Sequence, residues 1–256
     1  MTLKSNTLAV LSFIILSFVS CSTTKNIPDN DQLFVGLNKI QYNNYEKGEH
    51  FDTTQEEVEA ALATAPNGAL FGSSYYRTPF PYGLWIWNAF SNSKGKVPKW
   101  ITKTFGKAPV LMSWVNPELR ASVATSVLRN HGYVHANVGY DVVTQKNPKK
   151  AKINYTVNVN KLLTVDTISY ANFPEVADSL IKATATERLI HSGAPFDVSS
   201  LDAERARITT LFRNNGYYYY QSGFASYLAD TVSVPGKAQL RLQMADGIPE
   251  IAKHKW

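Results

Sequence analysis

The chain has 256 residues, 44% of them hydrophobic and 18% charged, with a formal net charge of +6. That length is ample for two domains of about 100 residues each. Cys21 is the only cysteine, so no disulfide can form within the chain, and the basic residues are scattered apart from a small cluster (Lys146, Lys149, Lys150, Lys152) that fits a turn between strands.

Residues 1–20 read as a signal peptide. Lys4 is the only charge before the apolar run Leu8 to Val19, which is too short for a spanning helix and has the length of a signal-peptide core. It ends in Phe18-Val19-Ser20-Cys21, which suggests a bacterial lipoprotein whose Cys21 becomes an acylated N-terminus; ordinary secretion with an unmodified cysteine is the alternative. Residues 21–31 then form a polar tether. Secretion disfavours nucleic acid as a partner.

A first unit spans 32–161. An alternating strand runs from Leu33 to Asn43. A helix is expected over Gln55–Ala65, with Thr54 and Glu57 as a capping box and Val58, Ala61, Leu62 and Ala65 as its apolar face. Residues 67–114 are an insertion rich in aromatics, holding four of the five tryptophans. Asn116-Pro117 is a cap and first turn. It opens a second helix with Val123, Ala124, Val127 and Leu128, ending at "RNHGY", Arg129–Tyr133. From there the period falls from 3.6 to 2: Val134, Ala136, Val138, Tyr140 and Val142, a turn at 147–150, then Ile153, Tyr155, Val157 and Val159.

The second unit, 162–247, repeats this order. A strand over Leu163 to Asn172 leads to a helix at Glu175–Arg188 with Val176, Ala177, Leu180 and Ile181 on one face. A second helix carries Leu201, Ile208, Leu211 and Phe212 and ends at "RNNGY", Arg213–Tyr217. A hairpin follows, with Leu240, Leu242 and Met244 on its last strand. Gly132 and Gly216 are placed to take the left-handed conformation that closes a helix. The shared helix phase, glycine and hairpin make this an internal repeat. The fold class is α+β: two tandem β-α-α-β-β domains, each a three-stranded mixed sheet covered on one face by two helices, the first with the aromatic insertion.

Half-covered sheets leave edge strands with unpaired backbone groups, to which an extended polypeptide can add. The strands after "GY" are the candidate edges, so Tyr133, His135, Asn137, Tyr217, Tyr219 and Gln221 are the candidate partner-binding residues. Trp85 and Trp87 are candidate docking aromatics in the insertion, where plain packing is the other reading. No catalytic constellation stands out, and no enzyme activity, metal site or cofactor is expected. The histidines lack zinc-ligand spacing, and Gly132 separates His131 from His135. Because Asn215 stands where the first copy has His131, that histidine reads as incidental. Glu204-Arg205-Ala206-Arg207 reads as a solvated helix face. No acid lies between Phe71 and Trp114, which counts against a hydrolase in the insertion.

Several stretches resemble one family. These are Cys21-Ser-Thr-Thr-Lys25 with Pro28 and Leu33-Phe-Val-Gly36; Pro66-Asn67 with Leu70-Phe71-Gly72; Gly106-Lys-Ala-Pro-Val110; and Gly193-Ala-Pro-Phe-Asp197. Together with the repeat they resemble the POTRA domains of the Omp85 superfamily, and most closely its TamA-like lipoproteins (TamL) of Bacteroidetes. The resemblance implies a lipid-anchored protein of the outer membrane facing the periplasm. Its partners would be outer-membrane lipid through acylated Cys21, unfolded outer-membrane protein clients, and a TamB-like partner anchored in the inner membrane. Family members end in a 16-stranded barrel that does not follow here; residues 248–256 read as a truncated linker into a further unit. The alternative is a stand-alone periplasmic tether or ligand-binding lipoprotein without assembly activity.

Overall fold

The computed structural model describes residues 23–256, so the signal segment and Cys21 lie outside the described residues. The chain forms two compact units. One comprises residues 23–41, Glu59–Ala124 and Val138–Val157; the other comprises Tyr42–Val58, Thr125–Asn137 and Asn158–Trp256. The second unit thus recruits segments from both sequence repeats.

The first sheet has the order β1-β3-β2, with β1 at Leu33–Asn43, β2 at Asn137–Thr144 and β3 at Lys150–Asn158. β1 starts parallel to β3, the Leu33 N–H donating to the Lys149 carbonyl at 2.9 Å. β2 and β3 form the expected hairpin, closed by Gln145 N–H on the Lys150 carbonyl at 2.8 Å. β3 alternates strictly, with Ala151, Ile153, Tyr155 and Val157 buried, the period-2 signature of a sheet with one covered face.

The helices of this repeat are α1 (Glu49–Leu62) and, beyond the insertion, α5 (Pro117–Asn130). α1 begins before the expected cap. Thr54 lies inside it, fully buried, its hydroxyl donating to the His50 carbonyl at 2.7 Å. Phe51 explains the early start: it is buried and stacked on Tyr45 at 4.7 Å between ring centres, so side-chain packing recruits an extra turn. α5 starts as expected, with Asn116 Oδ1 accepting from the Leu119 N–H at 3.1 Å. Between them lie α2 (Tyr82–Phe90), α3 (Lys96–Phe105) and the single turn α4 (Met112–Val115).

The second sheet has the order β4-β6-β5, with β4 at Thr164–Ala171, β5 at Ala225–Asp230 and β6 at Lys237–Met244; β4 is parallel and β5 antiparallel to β6. Its helices are α6 (Glu175–Ala183) and α7 (Val198–Asn214). Ala177 and Ile181 of α6 and Ile208 and Phe212 of α7 share a core with Leu242 and Met244 of β6. α6 is shorter than expected, closing in a 3-10 turn at Ala185–Glu187, and Val176 is 53% exposed rather than on the packed face.

Both "GY" steps are Schellman caps of the same form. Tyr133 N–H donates to Leu128 and Gly132 N–H to Arg129; Tyr217 N–H donates to Phe212 and Gly216 N–H to Arg213. Gly132 and Gly216 have φ of 91° and 99°. A Cβ would sit 2.4 Å from the Phe196 carbonyl oxygen at Gly132 and 2.7 Å from that of Trp256 at Gly216. Glycine is thus required twice over, by dihedral and by the close passage of backbone. Each glycine carbonyl then accepts from the chain that follows, Leu163 N–H in the first copy and Trp256 N–H in the second. Residues 248–256, expected as a linker, are packed here: Ile248 and Ala252 are buried and the Trp256 ring meets Tyr219 at 6.3 Å.

Candidate functional site

In each sheet the two outer strands differ in what lies beyond them. Beside the start of β1 runs the segment before α4, with Phe34 N–H donating to the Val110 carbonyl at 2.8 Å and a bridge pairing Leu33 with Leu111. Beside the start of β4 runs the segment before α7, with Val165 N–H on the Ala194 carbonyl and Phe196 N–H on the Leu163 carbonyl, both 2.8 Å. The two Gly-x-x-Pro or Gly-x-Pro steps therefore have one structural job, which is to cover the first strand of each sheet. Among the described residues no strand covers the outer side of β2 or β5.

The register of β5 fixes which of its groups are on offer. Ala225 faces Met244, and Ala245 N–H donates to the Phe224 carbonyl at 2.8 Å. In an antiparallel pair, residues that exchange hydrogen bonds alternate with residues that do not. The N–H and C=O groups of Ala225, Tyr227 and Ala229 therefore point away from β6. The Ala225 carbonyl is taken by Arg205 Nη1 at 3.3 Å, which leaves Tyr227 and Ala229 to offer an open ladder. The tip of the hairpin is tied by Asp230, whose carboxylate accepts from Val232 N–H, Ser233 N–H and the Ser233 hydroxyl; these bonds hold its pKa down at about 2.

Of the residues expected at these edges, only Asn137 lies in a strand, at the start of β2. Tyr133 and Tyr217 are buried cap residues, 4% and 3% exposed. His135 is an exposed turn residue whose carbonyl accepts from Asn160. Tyr219 precedes the strand and is half exposed, and Gln221 is the cap of the 3-10 turn Ser222–Phe224. The chain needs several residues after each glycine to reach the sheet, so the strands begin later than the change of period suggests. Tyr133 instead joins a cluster with His50 and Phe51, and Tyr220 packs on Phe212 at 4.8 Å.

Two charged networks, the first buried and the second partly exposed, tie the helices together. Glu204, expected on a solvated face, has no exposed surface. It accepts from Arg207 at 2.7 and 2.9 Å, from Leu189 N–H at 3.0 Å and from the Tyr170 hydroxyl at 3.1 Å. Burial alone would raise its pKa, but the Arg207 bonds and the Leu189 amide outweigh that and hold it low. The second network centres on His131. Its Nδ1 lies 2.7 Å from Asp197 Oδ2 and its Nε2 3.0 Å from Glu57 Oε2. Burial opposes a charged ring, yet the two carboxylates keep its pKa above the ordinary value. Asp197 is also the N-cap of α7, accepting from Ser200 N–H at 3.1 Å. His131 is therefore a clamp joining the end of α5, Glu57 of α1 and the start of α7.

His50, whose Nε2–H donates to the His131 carbonyl at 2.8 Å, completes a group with His131 and Asp197 whose donor atoms lie within 4.8 Å of one another. That spacing suits a cation. The two carboxylates on the His131 ring nitrogens favour its protonated form, however, and a protonated ring has no lone pair to give.

Within the insertion, Trp85 and Trp87 are half-buried in α2, and the Trp85 Nε1–H is buried without a partner. The strongly exposed rings are others: Tyr76, Tyr82, Trp100, Phe105 and Trp114, with Phe71 fully exposed at φ 50°.

No protein-family model matches the chain, and no curated protein matches it. Solved structures of similar architecture include POTRA domains 3–5 of BamA from Haemophilus influenzae, at 11% identity over 87% of this chain and 70% of that one, TM-score 0.42. POTRA domains 1–3 of the periplasmic domain of Omp85 from Anabaena overlap at 11% identity over 84% of this chain and 62% of that one, TM-score 0.37. The N-terminal domain of Omp85 from Thermosynechococcus elongatus overlaps at 11% identity over 81% and 62%, TM-score 0.33.

Proposed function

We propose that this chain is the periplasmic POTRA region of an outer-membrane assembly factor of the Omp85 type, a TamA-like lipoprotein held to the membrane through acylated Cys21. It binds extended segments of unfolded outer-membrane proteins, or of a TamB-like partner, by strand addition, and its role is recognition rather than catalysis. The observation that carries this reading is the repeated asymmetry of the sheets: in each, the loop before the second helix runs beside the first strand while no strand covers the outer strand of the hairpin. Strand addition supplies affinity through backbone bonds with little demand on sequence, which suits clients that share alternating strands and no single motif. The sequence motifs around Cys21, Pro66, Pro109 and Pro195 support the same family.

Ala229→Pro tests this. Proline removes an N–H that points away from β6, so the β5–β6 ladder survives while the open edge loses a donor. Photocrosslinking from position 228 to a denatured outer-membrane barrel protein should fall severalfold in the variant, with an unchanged thermal midpoint. Equal crosslinking yield in the two proteins would rule out strand addition at β5.

A further inference from the structure

From the insertion, we infer that α3 and the end of α2 form a membrane-contact surface that lies against the headgroups of an anionic phospholipid bilayer. Charge comes first. Between Glu59 and Glu118 the chain carries no acidic residue but six basic ones, Arg77, Lys94, Lys96, Lys99, Lys103 and Lys107. Lys96, Lys99 and Lys103 all lie on α3, are exposed, and form no ion pair among the described residues.

The apolar side of α3 is equally unpartnered. Val97, Trp100 and Phe105 are 66%, 60% and 54% exposed, and Trp100 meets Phe105 edge-on at 5.9 Å. At 100° per residue, Trp100, Val97, Ile101 and Phe105 fall on one arc of the helix and the three lysines on the other. A short helix with Trp and Phe on one side and Lys on the other is the chemistry of an interfacial helix. Trp places an apolar ring and an N–H at the boundary between acyl chains and headgroups. α2 packs against α3 and continues the surface with exposed Tyr82, next to Phe80 at 6.3 Å.

Position along the chain gives the second, independent argument. Asn26 Nδ2 donates to the Asn88 carbonyl and to Ser91 Oγ at the end of α2, and Ile27 is buried with Leu84 and Leu111. Asn26 is five residue steps from Cys21, a reach of at most about 18 Å. On the anchoring proposed above, the α2–α3 pair cannot stand far from the bilayer.

The test uses the full mature chain with Cys21→Ser, so binding does not depend on acylation. It should co-sediment with phosphatidylglycerol–phosphatidylcholine vesicles, with a blue shift of tryptophan emission that salt reverses, and not with pure phosphatidylcholine. Replacing Lys96, Lys99 and Lys103 by Gln should lower partitioning roughly a hundredfold, at about fivefold per lysine near an anionic surface. Trp100→Ala with Phe105→Ala should abolish the blue shift, and circular dichroism should show both variants folded. Absence of vesicle binding by the folded parent, or binding unaffected by either variant, overturns the proposal; so does photocrosslinking from position 100 to polypeptide and not to lipid. None of these outcomes depends on the β5 edge, so this surface and strand addition can fail separately.

Discussion

Removing the Glu204 carboxylate should be the most damaging single change in the second unit outside its apolar core. Glu204 is fully buried, and the Arg207 side chain bonded to it is only 15% exposed. In Glu204→Ala, the guanidinium keeps its charge but loses both bonds, and the Leu189 N–H and Tyr170 hydroxyl lose their acceptor. Breaking a buried ion pair by deleting one partner costs about 3–5 kcal/mol, which in a chain of this size lowers Tm by roughly 10 °C. Differential scanning calorimetry of the mature chain measures it. Glu204→Gln keeps the volume and an acceptor for Leu189, so its loss should be smaller. Glu204→Leu with Arg207→Leu removes both charges together and should recover most of the stability. The sign with pH is fixed as well. The folded pKa of Glu204 is depressed, so its contribution is complete above the unfolded value and is lost as pH falls through the folded one. The parent should therefore lose stability in acid more steeply than Glu204→Gln. A Glu204→Ala midpoint within about a degree of the parent's, against the shift expected from that penalty, would refute the reasoning.

The His131 clamp should show the opposite pH dependence. His131→Asn, which copies Asn215 of the second repeat, should destabilise most below the unfolded histidine pKa of about 6.5. The gap should close as pH rises through the raised folded value, where the parent loses its own charge pairing; urea midpoints on either side of neutrality measure this. The Tyr227 hydroxyl is buried without a partner, and burial drives its pKa strongly upward. Tyr227→Phe should therefore be neutral or stabilising by up to about 1 kcal/mol, while Tyr170→Phe, which takes a bond from Glu204, should destabilise.

Much of the architecture was legible from residues close in sequence. The Asn116-Pro117 start, the two glycine caps and the alternation of β3 and β6 are each set within a few positions, by dihedral preference or by the period of the pleat. The repeat followed because those local signals recur in one order. The sites were less legible. Thr54 and Glu57 match a capping box, yet Phe51 packing extends the helix and frees Glu57 to meet His131. Glu204 sits in a stretch of alternating charge that resembles a solvated face, and only the fold brings Tyr170 and Leu189 to it. Tyr133 and Tyr217 follow the glycines like the first residues of strands, yet each is spent in the core.

The sequence by itself determined the two glycine caps, the hairpins and the acid-free stretch of the insertion, because each is a property of neighbouring residues. Only the tertiary structure decided which charges are buried, which rings reach the surface and which strand edges lie open. Those depend on groups far apart in the chain competing for the same space and the same hydrogen bonds.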